Sequence, residues 1–389
     1  MINNSFATIN LNNILHNYNT IKKYVNKNNT EEEVLVMGVI KANAYGHGAI
    51  NIARFLKENG CDYLGVSSFL EASNLRRNYI KTPTLVLSEV DLGYIDYVCN
   101  ENITISVFSY KYAKKVSDIC GLLDKECKIH IKVDTGMLRV GVSYSEAVEE
   151  IKNIVKLPNI YIEGIYSHFA TADEKDDNFM MKQYNRFIEV LDALENLEIS
   201  FKYKHIANSA GVFNWDKVGN KTNLVRVGIA MYGHYPSEEV DKSVLELKSA
   251  LSLKTKVLKL NDLEEGEGLS YGLTYKAIEH RKVATVGVGY GDGFPRNLSN
   301  KGYVEVNNQK AKIIGSVCMD KMMIDITDID NVKINDEVVI FGNLISVEEV
   351  AKLINTINYE ILTRIQNRVT RIYEFNGDSF VESDNNFVF

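Results

Sequence analysis

The strongest constraint on this 389-residue chain is a change of rhythm near Pro236. Before it, short apolar runs rich in Val and Ile alternate with helical patterns. Strand candidates are 34–40, 62–67, 84–88, 103–108, 128–134, 160–168, 203–208 and 224–229. Apolar runs this short read as parallel strands buried on both faces. Most gaps have room for a helix. Leu11, Ile14, Leu15, Tyr18, Ile21 and Val25 share one helical face, and Ala49, Ile52, Ala53 and Leu56 recur at i, i+3, i+4 and i+7. Gly60 then stands where a left-handed residue would end that helix. Eight β-α repeats over about 240 residues match a (β/α)8 barrel, although a doubly wound open sheet has the same periodicity.

After Pro236 the polar run Ser237-Glu238-Glu239-Val240-Asp241-Lys242 reads as a linker. Beyond it, strand candidates 251–260, 282–288, 303–306, 311–317, 322–327 and 337–341 follow closely, as in an antiparallel β domain. One helix intrudes there, opened by the capping box Ser346-Val347-Glu348-Glu349. The expected architecture is therefore α/β + β: a TIM-type barrel over 1–240 and a C-terminal antiparallel β domain over 241–389.

Composition narrows the function. A net charge of −7 with no Lys/Arg-rich block argues against a nucleic-acid surface. No uncharged apolar stretch reaches membrane-spanning length, and the N-terminus lacks the basic start and apolar core of a signal peptide. A soluble cytoplasmic enzyme is expected. Cysteines 61, 99, 120, 127 and 318 show no Cys-x-x-Cys spacing, and no His-x-x-x-His pair occurs among the seven histidines. Free thiols and no metal site follow.

The barrel reading gives the polar residues a common address. Lys41 closes the first strand, Asp134 the fifth with Arg139 five residues on, His168 the sixth and Asn208-Ser209 the seventh, while Arg226 and Gly228 fall in the eighth. In a barrel these carboxyl ends converge on one face, where chemistry is built. Individually each has a plainer explanation: a snorkelling lysine, a core histidine, a surface ion-pair arginine. At a strand end, partial desolvation would lower the pKa of Lys41 and free a nucleophilic amine. Ser209, Gly228 and Ile229 lie where barrels often hold phosphate, after strands seven and eight. A phosphate site with a strand-end lysine points to pyridoxal phosphate, whose aldehyde forms a Schiff base with an amine. The strand Lys128 to Asp134 alternates in polarity, and Lys132 on it faces either the interior or solvent. The run Gly287-Val288-Gly289-Tyr290-Gly291-Asp292-Gly293 imitates a dinucleotide fingerprint but misses its final spacing and precedes no helix.

Together these segments resemble the alanine racemase family. The resemblance rests on Val39 to Gly48, Lys132-Val133-Asp134-Thr135-Gly136-Met137-Leu138-Arg139, Ser167 to Asp173, His205 to Ala210 and Arg226 to Ile229. It continues through Leu269 to Tyr275, Gly289 to Arg296, Val317-Cys318-Met319-Asp320 and Asn358 to Leu362. It implies racemisation of alanine by two bases on opposite faces of the α-carbon, supplying D-alanine for peptidoglycan. Lys41 would hold pyridoxal phosphate and act as one base, and Tyr271 as the other. Tyr45, Ser209, Gly228 and Ile229 match phosphate contacts, and Arg226 faces the pyridine nitrogen. His168 joins Arg226 in a network with the tyrosine. Arg139 matches a cofactor and carboxylate contact, and Lys132 matches a lysine carbamylated in many members. Asn208 belongs to the cofactor set, and Cys318 and Met319 to the substrate set. Because Tyr271 and Met319 would enter the barrel of a second chain, a homodimer with shared sites is implied.

Three positions depart from the family. Ser316 replaces an arginine, Thr370 a proline, and Asn367 the aromatic residue of many members, as in the serine racemases of vancomycin resistance. An amide there opens space and offers a donor to a substrate hydroxyl, so serine stands beside alanine as an alternative substrate. A barrel carrier without turnover would lack the second domain, and a two-domain decarboxylase would place an acid where Arg226 stands.

Overall fold

A computed structural model describes residues 4–27 and 33–381. Its strands are β1 (Phe6–Asn10), β2 (Leu35–Val39), β3 (Tyr63–Val66), β4 (Thr84–Val86), β5 (Thr104–Val107), β6 (Cys127–Asp134), the short β7 (Val142–Ser143), β8 (Ile160–Tyr166), β9 (Tyr203–His205) and β10 (Leu224–Val227). The antiparallel part continues with β11 (Leu251–Leu263), β12 (Gly268–Leu269), β13 (Tyr275–Lys276), β14 (Arg281–Val286), β15 (Tyr303–Val306), β16 (Gln309–Ile314), β17 (Met322–Asp325), β18 (Glu337–Phe341), β19 (Thr370–Phe375) and β20 (Asp378–Val381). The chain divides into two units. One holds Ile14–Ala44 and Ala49–Lys248; the other holds the described residues of Met1–Asn13, Tyr45–Gly48 and Ser249–Phe389.

In the first unit, eight parallel strands run in the order β10-β2-β3-β4-β5-β6-β8-β9. The ring is drawn nearly shut by Asn223 N–H donating to Lys204 O and Arg226 N–H to Ala207 O, both at 3.0 Å. Each of the eight strands expected from the apolar runs is present, and the barrel is the observed alternative. Its interior is packed in layers, as barrel cores are: Met37, Tyr63, Leu85, Tyr203 and Leu224 form an apolar cluster. The helix Ala49–Glu58 ends as its sequence predicts. Gly60 adopts φ +79°, and Cys61 N–H reaches back to Leu56 O while Gly60 N–H reaches Lys57 O, the paired bonds of a Schellman stop.

In the second unit, β14, β17, β16, β15, β18 and β11 form a ring that β14 closes by pairing with β11. β1 adds to β11 antiparallel and carries β19 parallel on its other side, with β20 beyond. The N-terminal strand β1 thus belongs to the antiparallel sheet, which the linear reading did not mark. The helix at Ser346 is present over Val347–Leu353, with the Ser346 hydroxyl accepting from Glu349 N–H, and a second helix follows at Asn358–Thr363. The glycine run at 287–293 serves close backbone approach: a Cβ on Gly289 would lie 2.3 Å from Cys318 O. Among the described residues no helix is long and apolar enough to cross a membrane.

Candidate functional site

The barrel unit gathers Lys41, Lys132, Arg139, His168, Asn208, Ser209, Arg226, Gly228 and Ile229. Lys41 follows β2 and begins a turn of reversed hand: Ala42, Asn43, Ala44 and Tyr45 all have φ between +51° and +54°. Such a run is strained for L-residues. The turn is anchored by Glu71, which accepts from Ala42 N–H at 2.7 Å while its other oxygen takes Ser67 and Ser68 N–H. The same carboxylate completes a capping box with Ser68. Burial, then the charge of Arg139, hold the Lys41 ammonium below its ordinary range, with Glu71 opposing and Arg226 adding to the fall.

Lys132 resolves its two readings by facing inward. It is 4% exposed, and burial followed by Arg139 and Arg226 lowers its pKa to about 8. A sizeable neutral fraction at physiological pH follows. Asp134, ending the same strand, accepts from Gly136, Leu138 and Arg139 N–H groups. Those bonds fold the loop back and place Arg139 near the two lysines.

Arg226 is the buried hub. Its Nη1 lies 2.7 Å from His205 Nδ1, and its Nη2 meets Ser167 O at 2.7 Å, Ile206 O at 3.0 Å and His168 Nδ1 at 3.0 Å. Burial pushes Arg226 down to about 10, so it stays charged at neutral pH. A guanidinium only donates, which dictates tautomers along the interior. His205 must accept at Nδ1 and carry its proton on Nε2. That proton is given to His130 Nδ1 at 2.9 Å, so neutral His130 carries its own on Nε2, aimed at Glu163 Oε2 3.6 Å away. Burial lowers both His130 and His205, the latter far. Glu163 accepts from Tyr63 at 3.0 Å and Thr104 at 3.2 Å, bonds that favour its ionised form.

Two backbone details make room for this series. The β6–β8 register slips between Ile129 and His130, which makes Glu163 an extra residue, the kind of bulge that redirects a side chain. Opposite His130 stands Gly164, where a Cβ would fall 2.7 Å from the imidazole. Tyr166 completes the layer, hydrogen-bonded to Ser106 at 2.7 Å and stacked on His205 at 4.9 Å.

His168 is pushed far below its ordinary range by burial and then by Arg226, Arg139, Lys132 and Lys41. Because Nδ1 accepts from Arg226, neutral His168 protonates at Nε2. Asn208 Nδ2 lies 3.4 Å from that nitrogen but is itself a donor, since Asn208 Oδ1 caps Gly211 N–H at 2.9 Å. The Nε2–H of His168 is thus left to donate to another acceptor. Ser209 Oγ accepts from Gly228 N–H at 3.0 Å and Ala230 N–H at 3.4 Å, joining the loops after β9 and β10.

The second unit carries the other expected residues: Tyr45, Tyr271, Cys318, Met319 and Asn367. Tyr45 is buried, its ring 6.1 Å from Tyr359. Tyr271 is 75% and Met319 53% exposed. The turn bearing Tyr271 is braced by Ser316, whose hydroxyl donates to Tyr271 O at 2.8 Å, and by Ser270, which donates to Ser316 O at 2.8 Å and lies 3.6 Å from Cys318 Sγ. Ser316, which stands where the family has an arginine, is buried and holds this turn. Arg368, beside exposed Asn367, bridges Asp292 at 3.0 Å and Asp320 at 2.8 Å, tying the 367–368 turn to Met319. Glu71, His130, Glu163, Tyr166 and His205 were not among the expected site residues. The Ser68-x-x-Glu71 spacing and the shared parity of His130 with Lys132 were their available signals.

A lysine with a depressed pKa, loops that gather backbone N–H groups around a serine hydroxyl, and a fixed guanidinium suit a phosphorylated aldehyde cofactor. Among the described residues no cluster suits a metal ion. Two family models match: "Alanine racemase, N-terminal domain" over 9–236 and "Alanine racemase, C-terminal domain" over 250–373. Alanine racemase 2 of Caldanaerobacter subterraneus subsp. tengcongensis is 41% identical over 96% of this chain and 95% of its own. Among solved structures, alanine racemase of Clostridium difficile 630 superposes with TM-score 0.93 at 37% identity, covering 100% of both chains. Alanine racemase from Bartonella henselae with covalently bound pyridoxal phosphate gives TM-score 0.84 at 30% identity, over 95% of this chain and 99% of that one.

Proposed function

The chain belongs to the alanine racemase family, and from that premise we propose that it interconverts L- and D-alanine using pyridoxal phosphate held at Lys41. The carrying observation is the Lys41 amine, half-buried at a barrel strand end with its pKa lowered by burial and Arg139. Bound there, the cofactor supplies an electron-withdrawing ring that acidifies the substrate α-hydrogen. Lys41 moves a proton at one face of the α-carbon, and Tyr271 at the other. A phenol, with a reference pKa of about 10, needs help to act as a base near neutrality. His168 offers that help through its Nε2–H, which the Arg226 bond at Nδ1 leaves available to donate. Arg226 stays protonated and presents a donor rather than a proton to a ring nitrogen. Ser209, Gly228, Ile229, Tyr45 and Asn208 hold the phosphate and ring, and Arg139 receives the substrate carboxylate with Cys318 and Met319. A neutral fraction of the Lys132 amine suits carbamylation, which would set an anion beside Arg139.

The exposure of Tyr271 and Met319 supports a homodimer. In this reading the barrel, the bulk of residues 1–240, holds the cofactor, and 241–389 complete the site of a second copy. The D-alanine formed serves peptidoglycan in the cytoplasm, a role that rests on the family alone. The test is a racemisation assay of the cofactor-loaded protein on L-alanine and L-serine, with wild type and Asn367→Tyr. Alanine should be preferred. No D-alanine formed sinks the proposal; preference for serine, reversed by Asn367→Tyr, replaces its substrate.

A further inference from the structure

Three cysteines, none of them a candidate site residue, meet on the outer wall of the barrel. Cys99 lies on the helix Ile95–Asn100, Cys120 on the helix Tyr110–Leu123, and Cys127 opens β6. The Cys99 and Cys120 sulfurs stand 3.8 Å apart, and the Cys127 thiol beside them donates to Lys128 O at 3.7 Å. Side chains alternate along a strand, so Cys127 shares the outward parity of Ile129, Ile131 and Val133, opposite to His130 and Lys132. It also sits at the far end of β6 from Asp134. Packing alone would be served by any small apolar residues. It does not explain why the sulfurs face one another, or why one reaches solvent: Cys120 and Cys127 are fully buried, whereas Cys99 is partly exposed. Lys125, paired with Asp96, adds its positive charge beside Cys99. The neighbouring Cys120 and Cys127 thiols, then the charge of Lys125, hold the Cys99 thiol below its ordinary range.

We propose that this cluster is an oxidation site at which Cys99 reacts with a hydroperoxide and Cys120 resolves the product into a Cys99–Cys120 disulfide. The Cys99 thiolate attacks one peroxide oxygen, the O–O bond breaks, and with hydrogen peroxide the other oxygen leaves as water, giving a sulfenic acid. Cys120 then attacks that sulfur, the S–O bond breaks and a second water leaves. Overall two thiols lose two electrons and two protons, and the peroxide is reduced to two waters. The sulfurs must close from 3.8 Å to about 2.05 Å, by rotation of the two side chains. The site is independent of racemisation: its residues touch none of the cofactor or substrate candidates.

The experiment treats the folded, cofactor-loaded protein with hydrogen peroxide, blocks remaining thiols with an alkylating agent, and maps the cysteines by peptide mass. The expected result is a linked Cys99–Cys120 peptide pair lacking two hydrogens, reversed by dithiothreitol. Loss of the Cys99 thiol should be at least about tenfold faster than loss of buried Cys61. In Cys120→Ala the linked pair should vanish and dimedone should trap a sulfenic acid on Cys99, with racemisation rates unchanged. Because the wild-type map needs no variant, a folding defect in Cys120→Ala does not rescue the idea. Absence of the linked pair in oxidised wild type overturns the proposal, as does oxidation of Cys318 and Cys61 as fast as Cys99.

Discussion

The two units keep their candidate chemistry in opposite ways. In the barrel, Arg226 is 3% exposed and every guanidinium bond is matched by a carbonyl or an imidazole nitrogen. In the antiparallel unit, Tyr271 is 75% exposed, although the turn beneath it is firmly braced by Ser316 and Ser270. One region is internally complete, with its tautomers dictated. The other presents a fixed backbone with an uncovered side chain. Preorganisation can thus reside in the donors around a charge, or in the turn that holds an exposed group in place.

The comparison can be broken by mutation. The largest effect is expected from Lys41→Ala: loss of the cofactor's visible absorbance and a fall in kcat of at least about 10⁴-fold. Residual racemisation above that level would move the chemistry away from the barrel. Tyr271→Phe should lower kcat from L-alanine by about 10²–10³-fold while leaving absorbance intact. Its urea midpoint should shift by no more than about 0.5 kcal/mol of stability. A marked loss of stability would make Tyr271 a structural residue and erase the contrast.

Acid provides a graded test of the barrel alone. His130, His168 and His205 are all depressed in the folded state, whereas an unfolded chain has histidines near about 6.5. Below that value, and above the folded pKa values, the unfolded chain binds more protons, so stability rises with pH across the window. The urea midpoint should therefore fall between about pH 7.5 and about pH 5. A midpoint that holds or rises would mean that the histidines are charged in place, contrary to the tautomers Arg226 requires. The smallest effect is Ser346→Ala, which should remove about 1 kcal/mol by loss of an N-cap and leave kcat unchanged.

Much of this was legible from sequence. The eight barrel strands repeat a local pattern, and local patterns are what a linear reading sees. β1 was not marked, because its five residues run directly into a helix and its partners β11 and β19 lie more than 240 residues away. The strand-end residues Lys41, Asn208 and Arg226 stood out because strand ends are chemically special in barrels. Glu163 did not, because its inward placement comes from a register slip that no periodicity announces. Ser316 was legible as a departure, but its brace on Tyr271 depends on a contact across 45 residues.

The turn after Lys41 has a stereochemical consequence. Ala42 and Ala44 have φ, ψ of 51°, 52° and 53°, 50°, the mirror image of an ordinary right-handed helix. An L-alanine there costs about 1–2 kcal/mol; its enantiomer would sit in its natural basin. A chain assembled chemically with D-residues at those two positions should be more stable than the ribosomal one. The backbone beside Lys41 is thus best suited to alanine of the hand that alanine racemases produce.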